Sequence, residues 1–358
     1  MRRRDFIAGL GNAAASPLWH GRSGALPVIG WLDANSASVH DRDTDGPAIQ
    51  GTGTMRNVIR PFMSIMLLLP FALMFATEPA FAQPTPSEAE QVQARIDAAA
   101  RAHAGDERYK GLSQKERQDL AEFVAGNMLF AMLHEMGHAI VGEMGLYVLG
   151  KDEDAADSFA ATRLIGVGSG FSDRVLGEAA KGWFMTNRRD KKEGDSVPPY
   201  DAHGLDIVRA YQIVCFMVGS NEEKFKHLAD ETKLPKDRQD SCAVDYSRAA
   251  KSWGLALDAH LRAPDQPKTK IDVIYGDGKD NLQGFAQAAR SIMLLEPVAQ
   301  HAADLFVWPA PFTMEMQSCG FINAAWVAST RKLTLCYELA EDFAELYRAY
   351  GVARADRR

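Results

Sequence analysis

The chain has 358 residues, 46% of them hydrophobic and 24% charged, and a formal net charge of −7. This is globular composition, and it excludes a disordered, collagen-like or disulfide-saturated protein. The acidic balance also argues against nucleic acid as a partner.

The N-terminal region reads as targeting material. Met1–Ile7 (MRRRDFI) followed by AGLGNAAASPLW resembles a twin-arginine export signal. Residues 1–37 as a whole resemble the start of a periplasmic substrate-binding protein of ABC transporters, cut short before any domain could form. A second signal begins at Met55, where Arg56 and Arg60 precede the run PFMSIMLLLPFALMFA and the triplet Ala80-Phe81-Ala82 stands before Gln83. Positive residues, an apolar stretch and small residues at −3 and −1 are the parts of a cleaved secretory signal peptide. Pro61 and Pro70 interrupt the run, which is short for a bilayer span of about 20 residues; left uncleaved, it would be a membrane anchor. We therefore expect residues 1–54 to be a mis-assigned gene start or a disordered leader, 55–82 a signal peptide and 83–358 one folded domain. Residues 1–82 hold seven Lys/Arg and six Asp/Glu, so the remainder carries −8. The expected location is periplasmic or secreted, with membrane contact only if residues 55–82 stay attached.

Pro84–Ser87 is a polar linker, and an Ala-, Arg- and Gln-rich helix is expected from Glu88 to about His103. Ser113 and Glu116 form an S-x-x-E capping box that opens the next helix. From Leu120 through Leu133 and on to Ile140, apolar residues recur at steps of three and four, predicting one long, largely buried helix to about Met144, with Gly145 as its stop. After the apolar connection LYVLGK, a second helix is expected from Asp152 to about Ile165, with acidic residues in its first turn where they suit the macrodipole.

The chemistry lies in the first long helix, at His134-Glu135-Met136-Gly137-His138. Residues i and i+4 share a helical face, so the two imidazoles can hold one Zn2+ ion while Glu135 reaches a coordinated water. The motif alone also fits two surface or core-satisfied histidines, but a charged trio is costly in so apolar a helix unless a metal or a network employs it. Fifteen residues on, Glu153-Asp154-Ala155-Ala156-Asp157 supplies Glu153 as third ligand, completing a His, His, Glu set with an open fourth position. Asp157, one turn further, is placed to accept the outer N–H of a ligating histidine. A shifted register would give the ligand role to Asp152 or Asp154 instead. Further along, His203 or Tyr200 could donate to a tetrahedral oxyanion, although His203 could equally cap the following helix. Asp206 and Arg209, at i and i+3, read as an ion pair.

In the last third, Ile271–Tyr275 has strand character, and a helix is expected through Phe285 to Leu295. Phe321–Trp326 and Lys332–Leu335 read as two strands joined near Ser329, feeding a helix from Cys336 to Tyr350. This hairpin is either a substrate edge or a purely structural one. The four cysteines allow three disulfide pairings; the sequence-local one, Cys215 with Cys242 and Cys319 with Cys336, brackets two compact segments. There is no C-x-x-C spacing to suggest a cysteine metal site, and no nucleotide fingerprint.

The segment FVAGNMLFAMLHEMGHAIVGEMGLYVLGKDEDAADSFA (residues 123–160) resembles a family of exported bacterial zinc metallopeptidases of unknown biological role. Its E-x-x-A-D element is similar to the ligand helix of the prenyl protein proteases and related zincins with a glutamate third ligand. The likeness continues through Tyr200–Val218, Lys251–Leu257 and NAAWVASTRKLTLCYEL, although in the prenyl proteases an NA-strand-helix element precedes the H-E-x-x-H helix and here it follows. The resemblance implies a zincin-like α+β domain, predominantly helical with a small sheet, acting on a peptide or protein substrate. Two functions stand as expectations: a zinc-dependent peptidase with Glu135 as general base, or a catalytically silent exported protein that keeps the zinc site for binding or structure.

Overall fold

The computed structural model describes residues 88–102, 109–195, 198 and 200–351; the expected leader and signal segment lie outside the described residues. Two helices open the fold, α1 (Glu88–Ala102) and α2 (Gln114–Met144). The Ser113 hydroxyl accepts the Glu116 N–H and the Glu116 carboxylate accepts the Ser113 N–H, so the capping box starts α2 where the sequence places it. Gly145 stops it in a left-handed conformation, φ +62°, that a side chain would resist. Between these ends α2 is apolar on nearly every side, the pattern of a helix enclosed by others.

The enclosing elements are α3 (Asp152–Val167), α4 (Gly170–Glu193), the C-terminal α10 (Tyr337–Tyr350) and the strands β3 (Ala324–Val327) and β4 (Lys332–Cys336). A second helical layer, α5 (Asp206–Ser220), α6 (Glu222–Glu231) and α7 (Lys236–Leu257), packs on α4 and α3 through α5 and α7. Burying each large apolar side chain of this core contributes about 1.5–3 kcal/mol, which is what offsets the charged groups held within it.

The sheet has the order β1-β2-β4-β3, with β1 (Ile271–Tyr275) and β2 (Phe312–Gln317) parallel, β2 and β4 parallel, and β3 antiparallel to β4. The fold is thus α+β and predominantly helical around a four-stranded mixed sheet, as expected. Three details differ from the sequence reading. The helix expected over Phe285–Leu295 is two, α8 (Gln283–Ile292) and α9 (Glu296–Leu305): Met293 turns left-handed at φ +52° and ends the first, and Pro297 begins the second. Strand β2 was not anticipated, although FTMEMQ alternates apolar and polar residues; its Glu315 is buried because Lys332 Nζ and Thr334 Oγ1 each reach its carboxylate at 2.9 Å. The stretch before β3 is a loop rather than strand, held by the Glu338 carboxylate, which accepts the N–H groups of Cys319 (3.0 Å) and Gly320 (2.6 Å).

Both disulfides have the sequence-local pairing, Cys215–Cys242 and Cys319–Cys336. Such bonds belong to an extracytoplasmic protein. No helix among the described residues is long and apolar enough to cross a membrane.

Candidate metal centre

The close crossing of α2 and α3 builds the centre. Gly137 makes it possible: a Cβ there would lie 3.0 Å from Ala156 Cα and 3.3 Å from Ala156 Cβ. This contact brings the first turn of α3 onto the His134–His138 face of α2. His134 Nε2 is then 3.1 Å and His138 Nε2 3.5 Å from Glu153 Oε2, and the two Nε2 atoms are 3.2 Å apart. A tetrahedral ion with bonds of about 2.0–2.1 Å places neighbouring donor atoms about 3.3 Å apart. The three edges match that spacing, so a His, His, Glu group capable of holding a metal ion exists here.

Each histidine is fixed from behind. Asp157 Oδ1 accepts from His134 Nδ1 at 2.8 Å, leaving Nε2 turned to Glu153. Arg209 Nε and Nη2 donate to the two Asp157 oxygens at 2.6 Å each, and the guanidinium stacks 3.7 Å from the Trp183 ring centre. Arg209 therefore pairs with Asp157 across 52 residues rather than with Asp206 in its own helix. Asp152 Oδ2 accepts from His138 Nδ1 at 2.8 Å, so Asp152 orients a histidine instead of replacing Glu153. Lone buried charges would cost several kcal/mol each, and this pairing is what makes them tolerable.

The electrostatics are those of a site that carries positive charge. Burial would keep His134 neutral, but its hydrogen bonds to Asp157 and Glu153 outweigh that and push the imidazole up to about 9. His138 is pushed up as well, its burial outweighed chiefly by the hydrogen bond to Glu153. Burial would raise both carboxyls, yet the three surrounding histidines hold Glu153 far below its usual range, and Arg209 with His134 does the same for Asp157. The protons that do this are those a bound cation would displace.

His203 stands beside the trio, with Nε2 3.0 Å from Glu153 Oε2 and Nδ1 3.3 Å from the buried Asp201. Lys151 Nζ donates to Asp201 O at 2.9 Å, tying this loop to the start of α3. The helix that follows is capped at Leu205 without a side-chain bond, so His203 is not its cap. Tyr200, the other candidate oxyanion donor, is 89% exposed.

Glu135 points to the sheet: its Oε2 accepts the Trp326 N–H at 2.9 Å. Cys336 N–H bonds Asn323 O, so alternate residues 323, 325 and 327 face β4 while the backbone groups of Ala324 and Trp326 face outward. The carboxylate thus sits on the outward edge of β3. Arg331 secures this hairpin to α2 through an ion pair with Glu143, and to the segment before β2 by donating to Pro311 O and Ala310 O at 3.0 and 2.7 Å.

Residues 88–257, just under half of the chain, match the sequence model of a family described as "Putative metallopeptidase" (DUF4344). The matched stretch runs from α1 through α7 and includes every side chain of the centre described above, while β3 lies beyond it. Comparison with curated proteins and with solved structures gave no match. The family match supports peptide hydrolysis with a metal ion.

Proposed function

We propose that the chain is an exported zinc-dependent peptidase of zincin type, in which His134, His138 and Glu153 hold the ion. The observation that carries this reading is the triangle of donor atoms with edges of 3.1–3.5 Å, with the Glu135 carboxylate of the same helix held by the Trp326 N–H of the edge strand β3. A bound zinc polarises the scissile carbonyl and lowers the pKa of a coordinated water. Zinc, rather than a harder cation, suits two imidazoles and one carboxylate.

The protein's own groups do the rest. Asp157 and Asp152 keep the Nδ1–H tautomers of His134 and His138, so that both Nε2 lone pairs face inward. The Trp326 N–H holds one oxygen of Glu135 and leaves the other to take the water's proton and pass it to the leaving amine. His203, with Asp201 behind its ring, donates to the developing oxyanion. The outward N–H and C=O of Ala324 pair with the main chain of an extended substrate.

The test is Glu135→Gln, which keeps size and hydrogen bonding but removes the base. Hydrolysis of a broad peptide library should fall by about 100-fold to 10,000-fold with zinc content unchanged. Equal measurable activity in both proteins would remove Glu135 as the base, and none in either while zinc stays bound would replace the enzyme with a silent zinc-binding protein.

A further inference from the structure

Helix α5 has a second working face. Arg209 turns inward to Asp157, whereas Val208, Tyr211 and Phe216 line a groove of about 830 Å3 that Leu234 and Pro235 close from the α6–α7 bend. That volume is in the range of ligand-binding clefts. Its floor is apolar, and Val208 is 54% exposed in it. Its rim carries Lys233, Arg238 and Arg248 against Asp237 and Asp245, a local charge of +1 on a chain of −7. Arg238 pairs with Asp245 at 2.6 Å, and Asp237 accepts the Arg238 N–H at 2.9 Å. Lys233 and Arg248, both exposed, have no carboxylate partner among the described residues.

The groove is also built rigid. The Cys215–Cys242 disulfide joins its two walls, α5 and α7, and Gly219 lies so close to the Cys242 carbonyl that no side chain would fit between them. Lys233 is held left-handed at φ +58°, a conformation that a lysine adopts only when its surroundings impose it. A preformed apolar trough with two spare cations suits an apolar ligand bearing carboxylates, because ordering cost is low and charge is complementary. Its position suggests the ligand's nature. The loop that carries His203 leads into α5, where Val208 in the groove is followed directly by Arg209 on Asp157, so one turn of α5 serves both the groove and the support of the metal centre.

We propose that this groove is a second binding site, for an extended apolar peptide segment carrying acidic residues: the part of a substrate that lies beyond the bond being cut. The proposal rests on the peptidase reading, but its test does not. A fluorescein-labelled peptide of about 15 residues built from Leu, Val and Glu is titrated with the chelator-stripped full chain, and its twin has every Glu replaced by Lys. Fluorescence anisotropy should show the Glu peptide binding about tenfold more tightly than its Lys twin. Lys233→Glu with Arg248→Glu should reverse that preference, and Val208→Asp should weaken both peptides while the melting temperature stays put. Binding of neither peptide, or equal binding across peptides and variants, overturns the inference. Because binding is read without metal or turnover, a protein that fails here but cuts peptides keeps its chemistry. One that binds here but cuts nothing loses the chemistry and keeps the groove.

Discussion

Replacing Gly137 by alanine sets two effects of known sign against each other. Alanine is the better helix former by about 0.5–1 kcal/mol, so in an open helix the change would stabilise. Here the new Cβ would lie 3.0 Å from Ala156 Cα and 3.4 Å from Ala156 O. Carbon atoms rest about 3.5–4.0 Å apart, so α2 and α3 must separate by roughly 0.5 Å, and a backbone atom cannot swing aside as a flexible side chain would. Overpacking of this kind costs about 1–3 kcal/mol, which cancels or outweighs the helix-forming gain and leaves a net loss of up to about 2.5 kcal/mol. The same displacement carries Glu153, one turn before Ala156, away from both histidines. Metal sites tolerate ligand shifts of only about 0.2 Å, so zinc affinity should fall further than stability does, by about 10- to 100-fold. Urea denaturation of the metal-free protein and zinc titration against a competing chelator measure the two separately. A Gly137→Ala protein that is more stable and binds zinc as well as wild type would refute the role given to the helix crossing.

Asp157→Asn should leave Arg209 buried without its counter-charge, costing about 3 kcal/mol in urea denaturation, and should weaken zinc binding about 10- to 100-fold by freeing the His134 ring; no change in either would show that the Arg209–Asp157–His134 chain is idle. The metal-free protein should also lose stability toward alkaline pH. His134 is raised from 6.5 to about 9 in the fold, so its contribution of about 3 kcal/mol is complete below pH 6.5 and disappears as pH rises through 9. A urea midpoint that stays flat from pH 6 to pH 10 would contradict the charge assigned to the metal-free site.

The parts of this molecule legible in its sequence are those written in local signals. The Ser113–Glu116 capping box and Gly145 bound α2, the acidic turn at Asp152 opens α3, and the i, i+4 spacing of His134 and His138 fixes their shared face. The disulfide partners follow from short separations, 27 and 17 residues. What escaped depends on distant partners. Nothing near Arg209 says that it forks Asp157 rather than Asp206, because that choice is made by the packing of α5 on α3. Asp152 and Glu153 are adjacent acids, and only the crossing at Gly137 decides which faces the two Nε2 atoms and which the Nδ1 of His138. The Trp326 N–H on Glu135 is a backbone contact 191 residues away in sequence, and no side-chain pattern encodes it. Asp201 did leave a trace, an acid two residues before His203, as in a local turn that aims a ring.

Metal content, measured by mass spectrometry after dialysis against zinc and then against buffer alone, tests the centre most directly. The wild-type chain and Glu135→Gln should each retain one zinc per molecule, whereas His138→Ala and Glu153→Ala, with two protein ligands left, should retain almost none. Stoichiometric zinc in His138→Ala and Glu153→Ala, or none in wild type, would contradict the assignment of His134, His138 and Glu153 as the ligands.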